Sequence, residues 1–169
     1  MRVMRKLDPL ALDEFATQPF RIVATAKLDA DPLSVFAELR DPSLWFPLLY
    51  KSVWKTGATS GVGAEREVRV RTFGTFRERM LAWEEGSRVA FTMVESTSPL
   101  VTRMAEDWQL SRDGIYTKLT WGVFATPSTF GRAVTPGLNV ILRALFMRAA
   151  TNLQKRAGTL KTERAKNVS

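Results

Sequence analysis

The chain has 169 residues, 45% hydrophobic and 25% charged, a composition that fits one globular domain with a single substantial core. It contains no cysteine and no histidine, which excludes disulfides, thiolate nucleophiles, zinc–sulfur sites and the usual general base near neutral pH. The net charge of +8 is carried mainly by arginines scattered along the chain, a pattern that fits a solvated surface better than a nucleic-acid groove.

Residues 1–19 show no sustained periodicity and read as an arm, with a short helical piece at 10–15. Arg2, Arg5 and Lys6 open it, but Asp8, Pro9, Asp13 and Glu14 stand where a signal peptide carries its apolar core, so the expected location is the cytoplasm. The first strand is Phe20–Leu28, where Phe20, Ile22, Ala24 and Ala26 alternate with Arg21, Val23, Thr25 and Lys27. Asp31 followed by Pro32 gives an N-cap and a first-turn proline, and the helix they start carries Val35, Phe36 and Leu39 as its stripe. Asp41-Pro42 breaks that helix, and residues 43–48 hold a second short one with Trp45 and Phe46.

Six consecutive strands follow, at 52–56, 65–71, 75–83, 88–94, 105–111 and 115–125. In the third of these Phe76, Glu78, Met80 and Ala82 share one face. Gly57, Gly61 and Gly63 join the first two as a hairpin connection, since they lack both a P-loop lysine and dinucleotide spacing. The chain closes on a long amphipathic helix at 135–164, opened by Thr135-Pro136. Leu138, Ile141, Leu142, Leu145, Phe146, Ala149, Leu153 and Leu160 fall on one face, opposite Arg143, Met147 and Gln154. Asn152 and Arg156 interrupt the apolar face: either the helix end overhangs the core and Arg156 snorkels, or the two stand at the mouth of a cavity. Arg143 and Arg148 keep the helix from reading as a membrane span.

Strands joined by short turns make an antiparallel sheet, and one late amphipathic helix covers it. The order resembles the helix-grip fold of the START-like (SRPBCC) superfamily, and within it the polyketide cyclase/dehydrase and lipid-transport group. The carriers are Asp31-Pro32-Leu33-Ser34-Val35-Phe36, Arg40-Asp41-Pro42 with Trp45 and Pro47, Gly61-Val62-Gly63-Ala64, Glu78-Arg79-Met80, and Gly114 with Thr117-Lys118-Leu119-Thr120-Trp121. The fold expected is α+β: a seven-stranded curved antiparallel sheet wrapped around a long C-terminal helix, with two short helices after the first strand. The expected organisation is an arm at 1–19, one START-like domain at 20–164 and a polar tail at 165–169. The resemblance implies an internal pocket for a hydrophobic small molecule; no motif maps onto a catalytic site, so catalytic residues stay unassigned.

Strand parity nominates Phe76, Met80, Phe91, Met93, Trp108 and Trp121 as pocket walls, with Leu142 and Phe146 facing them from the helix. Leu110 and Leu119 share that inward face. Glu78, Glu106 and Arg66 share the apolar parity, and a buried carboxylate needs a partner or a raised pKa. Arg66 pairs with Glu78 or with Glu106, or one of the carboxylates serves a ligand as proton donor or acceptor. The reading is a carrier or sensor of a lipid, polyketide or isoprenoid-like molecule. The alternatives are a cyclase or dehydratase using Glu78 and Glu106, and a basic adaptor docking on anionic membrane or RNA through Arg69, Arg71, Arg77 and Arg79. No cofactor, no metal and no specific nucleic acid are expected; weak contact with an anionic membrane is, with the chain a monomer or homodimer.

Overall fold

A computed structural model of the chain describes residues 3–55, 57 and 60–166, with side chains as far as Gly158. The elements are β1 (Arg5–Lys6), a 3-10 turn (Leu12–Thr17), β2 (Phe20–Leu28), α1 (Pro32–Leu39) and a second 3-10 turn (Pro42–Leu44). They continue as β3 (Leu49–Trp54), β4 (Glu65–Val70), β5 (Gly74–Glu84), β6 (Arg88–Ser96), β7 (Val101–Asp113), β8 (Tyr116–Pro127) and α2 (Thr129–Lys166). Seven strands run in the order β2-β8-β7-β6-β5-β4-β3, all pairs antiparallel, and β1 adds to β6 off that path. A two-residue strand such as β1 shows no alternation to read, which is why the arm is featureless in the sequence.

The local signals explain most boundaries. Asp31 caps α1 by accepting from the Ser34 amide at 3.0 Å, and Asp41 accepts from the Ser43 amide at 3.0 Å, so each Asp-Pro starts a new turn. The longest helix is the last one, but it starts at Thr129 rather than Thr135. Ser128 is its cap: the Ser128 hydroxyl accepts from the Gly131 amide at 3.0 Å and donates to the Pro99 carbonyl at 2.6 Å. Pro136 lies inside the helix on an exposed turn, where the Arg132 carbonyl it leaves unpaired can turn to water. Gly131 must be glycine for the helix to begin here, because a Cβ would stand 1.9 Å from the Leu100 carbonyl oxygen. Thr56, the Leu160 side chain and the last three residues of the tail lie outside the described residues.

Phe146, Ala149, Leu153 and Ala157 seat α2 on the inner face of the sheet and on α1. Ile141, placed on that face by its period, is 50% exposed. The arm covers the outer face, where Leu10 and Phe15 pack with Ala82, Ala90 and Ala105. Ala82 joins them because a bulge between Met80 and Ala82 shifts the parity of β5 at that point.

Candidate functional site: a cavity between sheet and helix

Between the N-terminal half of α2 and the inner face of the sheet lies a cavity of about 100 Å³, many times the ~10–15 Å³ that holds one water. Strands β5 to β8 supply its floor: Phe76, Phe91, Met93, Trp108 and Trp121 face it in the alternation that strand geometry imposes. Leu138, Leu142 and Leu145 of α2 form the roof. Phe46, Leu49, Val70 and Phe73 form the rim toward the β3 edge. Leu48 and Thr72, with φ of 69° and 72°, hold that rim in left-handed backbone, which is unfavourable for a β-branched threonine.

Glu106 is the polar centre of the cavity. Trp108 lies two residues on along β7 and so on the same face, and Trp121 stands opposite Trp108 in the β7–β8 ladder. Both indoles donate to one carboxylate oxygen: Glu106 Oε2 accepts from Trp108 Nε1 at 3.0 Å and from Trp121 Nε1 at 2.7 Å. The residue keeps some free surface because its other side faces the void. Burial is the main cause of a pKa pushed up to about 7; the Trp121 N–H opposes it, the charge of Glu78 adds to it, and Trp108 and Arg66 oppose it more weakly.

Glu78 also lines the cavity but is already engaged. It sits opposite Arg66 in the β4–β5 ladder, and Glu78 Oε2 accepts from Arg66 Nε at 2.7 Å with Nη2 also 2.7 Å away. Arg66 is wholly buried behind it, its Nη1 donating to the Leu39 and Arg40 carbonyls at 3.4 and 3.3 Å. Its guanidinium carbon lies 5.3 Å and 5.4 Å from the Trp54 and Phe91 ring centres. Burial pushes the Glu78 carboxyl up while Arg66 pulls it back. The two side chains form a buried ion pair in the wall.

Of the residues nominated from the sequence, Phe76, Glu78, Phe91, Met93, Glu106, Trp108, Trp121 and Leu142 line the cavity. Arg66 and Met80 are packed behind its wall. Phe146 stacks on Trp121 at 5.1 Å and faces a smaller void shared with Leu39, Trp45 and Ala149. Neither Asn152 nor Arg156 lines the cavity. Asn152 donates to the Trp45 carbonyl at 3.0 Å and Arg156 pairs with Glu38, so both fasten α2 to the two short helical segments. Phe73 and Leu49 escape sequence reasoning because they sit at a turn and at a bulged strand start, where parity gives no direction. Gly74 is the nearest signal to Phe73, and Pro47 to Leu49.

A curved antiparallel sheet closed by one long helix, with an apolar cavity between them, defines a START-like helix-grip protein. The chain belongs to the polyketide cyclase/dehydrase and lipid transport family, whose model matches residues 19–158. It is 29% identical over 149 residues to a protein of Mycobacterium tuberculosis described as uncharacterized, a match covering 83% of this chain and 88% of that one. A START superfamily protein of Mycobacterium smegmatis superposes with a TM-score of 0.68 at 13% identity, covering 83% of this chain and 98% of that one. A protein of Thermus thermophilus gives the same score and identity over 83% and 99%. At such identities the structures attest to the fold alone.

Proposed function

We propose that the protein binds one hydrophobic or amphipathic small molecule, of lipid, polyketide or isoprenoid type, between the sheet and α2. The observation that carries this is the cavity's wall: it is almost wholly apolar, and its two carboxylates are Glu78, neutralised by Arg66, and Glu106, held by two indoles. Family membership supports the same reading. The single domain at 20–164, a cytoplasmic location and a monomeric or dimeric state belong to the proposal. Titration with an uncharged fluorophore, N-phenyl-1-naphthylamine, tests it. Saturable binding that Leu142→Trp abolishes is the expected result, and absence of saturation in the unmodified protein overturns it.

An enzymatic role is the second reading, favoured by the Glu106 pKa of about 7, where a carboxyl can both give and take a proton. Glu78 is a poor second catalyst, because its proton acceptor capacity is directed at Arg66. A weak contact with anionic membrane has an observation of its own. Of the strand arginines, Arg69, Arg77 and Arg79 pair with Glu67, Glu95 and Glu65, while Arg71 lies over the Tyr50 ring. On α2, however, Phe130, Val134, Val140, Ile141 and Met147 are exposed, and Arg132, Arg143 and Arg148 lie among them with no acidic residue before Glu163.

A further inference from the structure

The proposed small-molecule site has a charge preference that its apolar character hides. Glu106 accepts both indole hydrogen bonds on Oε2, and among the described residues its Oε1 has no hydrogen-bond partner. That oxygen belongs to a residue lining the cavity. No lysine or arginine among the described residues lines the cavity with it. The nearest cation, Arg66, is spent on Glu78 and on two backbone carbonyls. The cavity therefore offers a ligand an acceptor among apolar and aromatic side chains, and offers it no lysine or arginine.

Resting on that reading, we propose that the cavity selects an apolar molecule carrying one hydrogen-bond donor, best an alkyl amine bound as its ammonium ion to Glu106 Oε1, and rejects carboxylates and other anions. An ammonium supplies Glu106 with a counter-charge of its own, since Arg66 is engaged by Glu78, and Phe91, Trp108 and Trp121 line the cavity beside it. An alcohol satisfies the same oxygen without neutralising the charge and ranks second. A carboxylate meets the like charge of Glu106 and no donor, since both indole N–H groups are taken. A fatty-acid anion is therefore the wrong cargo for this cavity.

Four probes of nearly equal size separate the cases: 2-methylnaphthalene, 2-naphthalenemethanol, 2-naphthylmethylamine and 2-naphthoate. At a pH near 8 the expected order is amine, alcohol, methyl, carboxylate, the amine ahead of the methyl compound by about tenfold or more. Glu106→Gln keeps a carbonyl oxygen for the two indoles and turns an NH2 toward the cavity, so it should reverse the extremes, weakening the amine and strengthening 2-naphthoate. Should that variant not fold, the pH dependence of the intact protein serves instead. Amine affinity rises as Glu106 ionises through about pH 7, while affinity for 2-methylnaphthalene stays flat. Equal binding of all four probes, or naphthoate ahead of the amine, overturns this inference and leaves the apolar site standing. Failure of all four, 2-methylnaphthalene included, overturns the site itself.

Discussion

A carboxyl such as Glu106, held near pH 7 in the folded chain, has a consequence for stability that its sign makes testable. Its unfolded value is about 4.3, so between there and about 7 the folded state holds a proton that the unfolded state has lost. Stability contributed by this group is present at low pH and is lost as pH rises through that window, by on the order of 3 kcal/mol. Glu78 is displaced the same way. Glu14, Asp31 and Glu67 are displaced downward, so their contributions are lost only as pH falls below the ordinary carboxylate range. Urea unfolding at a series of pH values should show stability declining from about pH 5 to about pH 7, and Glu106→Gln should flatten that decline. A variant with the same slope as the parent would mean that Glu106 titrates normally. The buried ion pair makes a second residue-scale prediction. Arg66→Met leaves Glu78 buried without its partner and should cost about 3–5 kcal/mol, whereas Arg66→Met with Glu78→Leu should recover most of that loss. Equal losses in the single and double variants would show that packing around Arg66, not its charge, is what matters.

Among the elements, β2 is legible to the residue, because Phe20–Leu28 alternates cleanly and ends at an Asp-Pro cap. The start of α2 is not. Thr135-Pro136 satisfies the local rule for a helix start, yet Ser128 caps the helix earlier, through a contact with the Pro99 carbonyl that no local pattern encodes. The candidate site divides the same way. Parity finds the inward residues of β5 to β8, Glu78 and Glu106 included, but parity carries no depth, so it does not tell that Arg66 and Met80 stand behind the wall. Helical period likewise puts Leu142 and Phe146 on one face. The four-residue step between them turns the helix only slightly but carries Phe146 about 6 Å along its axis, off the cavity and onto Trp121. The two positions should therefore respond oppositely to bulk. Leu142→Trp extends into empty space and should change stability little, while Phe146→Trp overpacks a 3% exposed site and should cost about 1–3 kcal/mol. Thermal melts of the two variants check this; equal costs would mean that the cavity collapses around its roof.

At the scale of the whole molecule, the charge of +8 and the exposed apolar side of α2 bear on how a ligand comes and goes. Anionic vesicles should bind the protein at low salt and release it at about 0.15 M. Phe130→Glu with Ile141→Glu should abolish the low-salt binding, and binding that survives both substitutions would place the contact elsewhere. The central claim remains the occupied cavity, and the five tryptophans report on it independently. Trp108 and Trp121 line the cavity and donate to Glu106, whereas Trp54 and Trp83 pack against each other at 5.7 Å outside it. The most direct measurement follows the indole N–H resonances during titration with 2-methylnaphthalene. The account predicts saturable shifts of Trp108 and Trp121 with one common dissociation constant, while Trp54 and Trp83 hold still. Shifts spread evenly over all five indoles, or none that saturate, would contradict it.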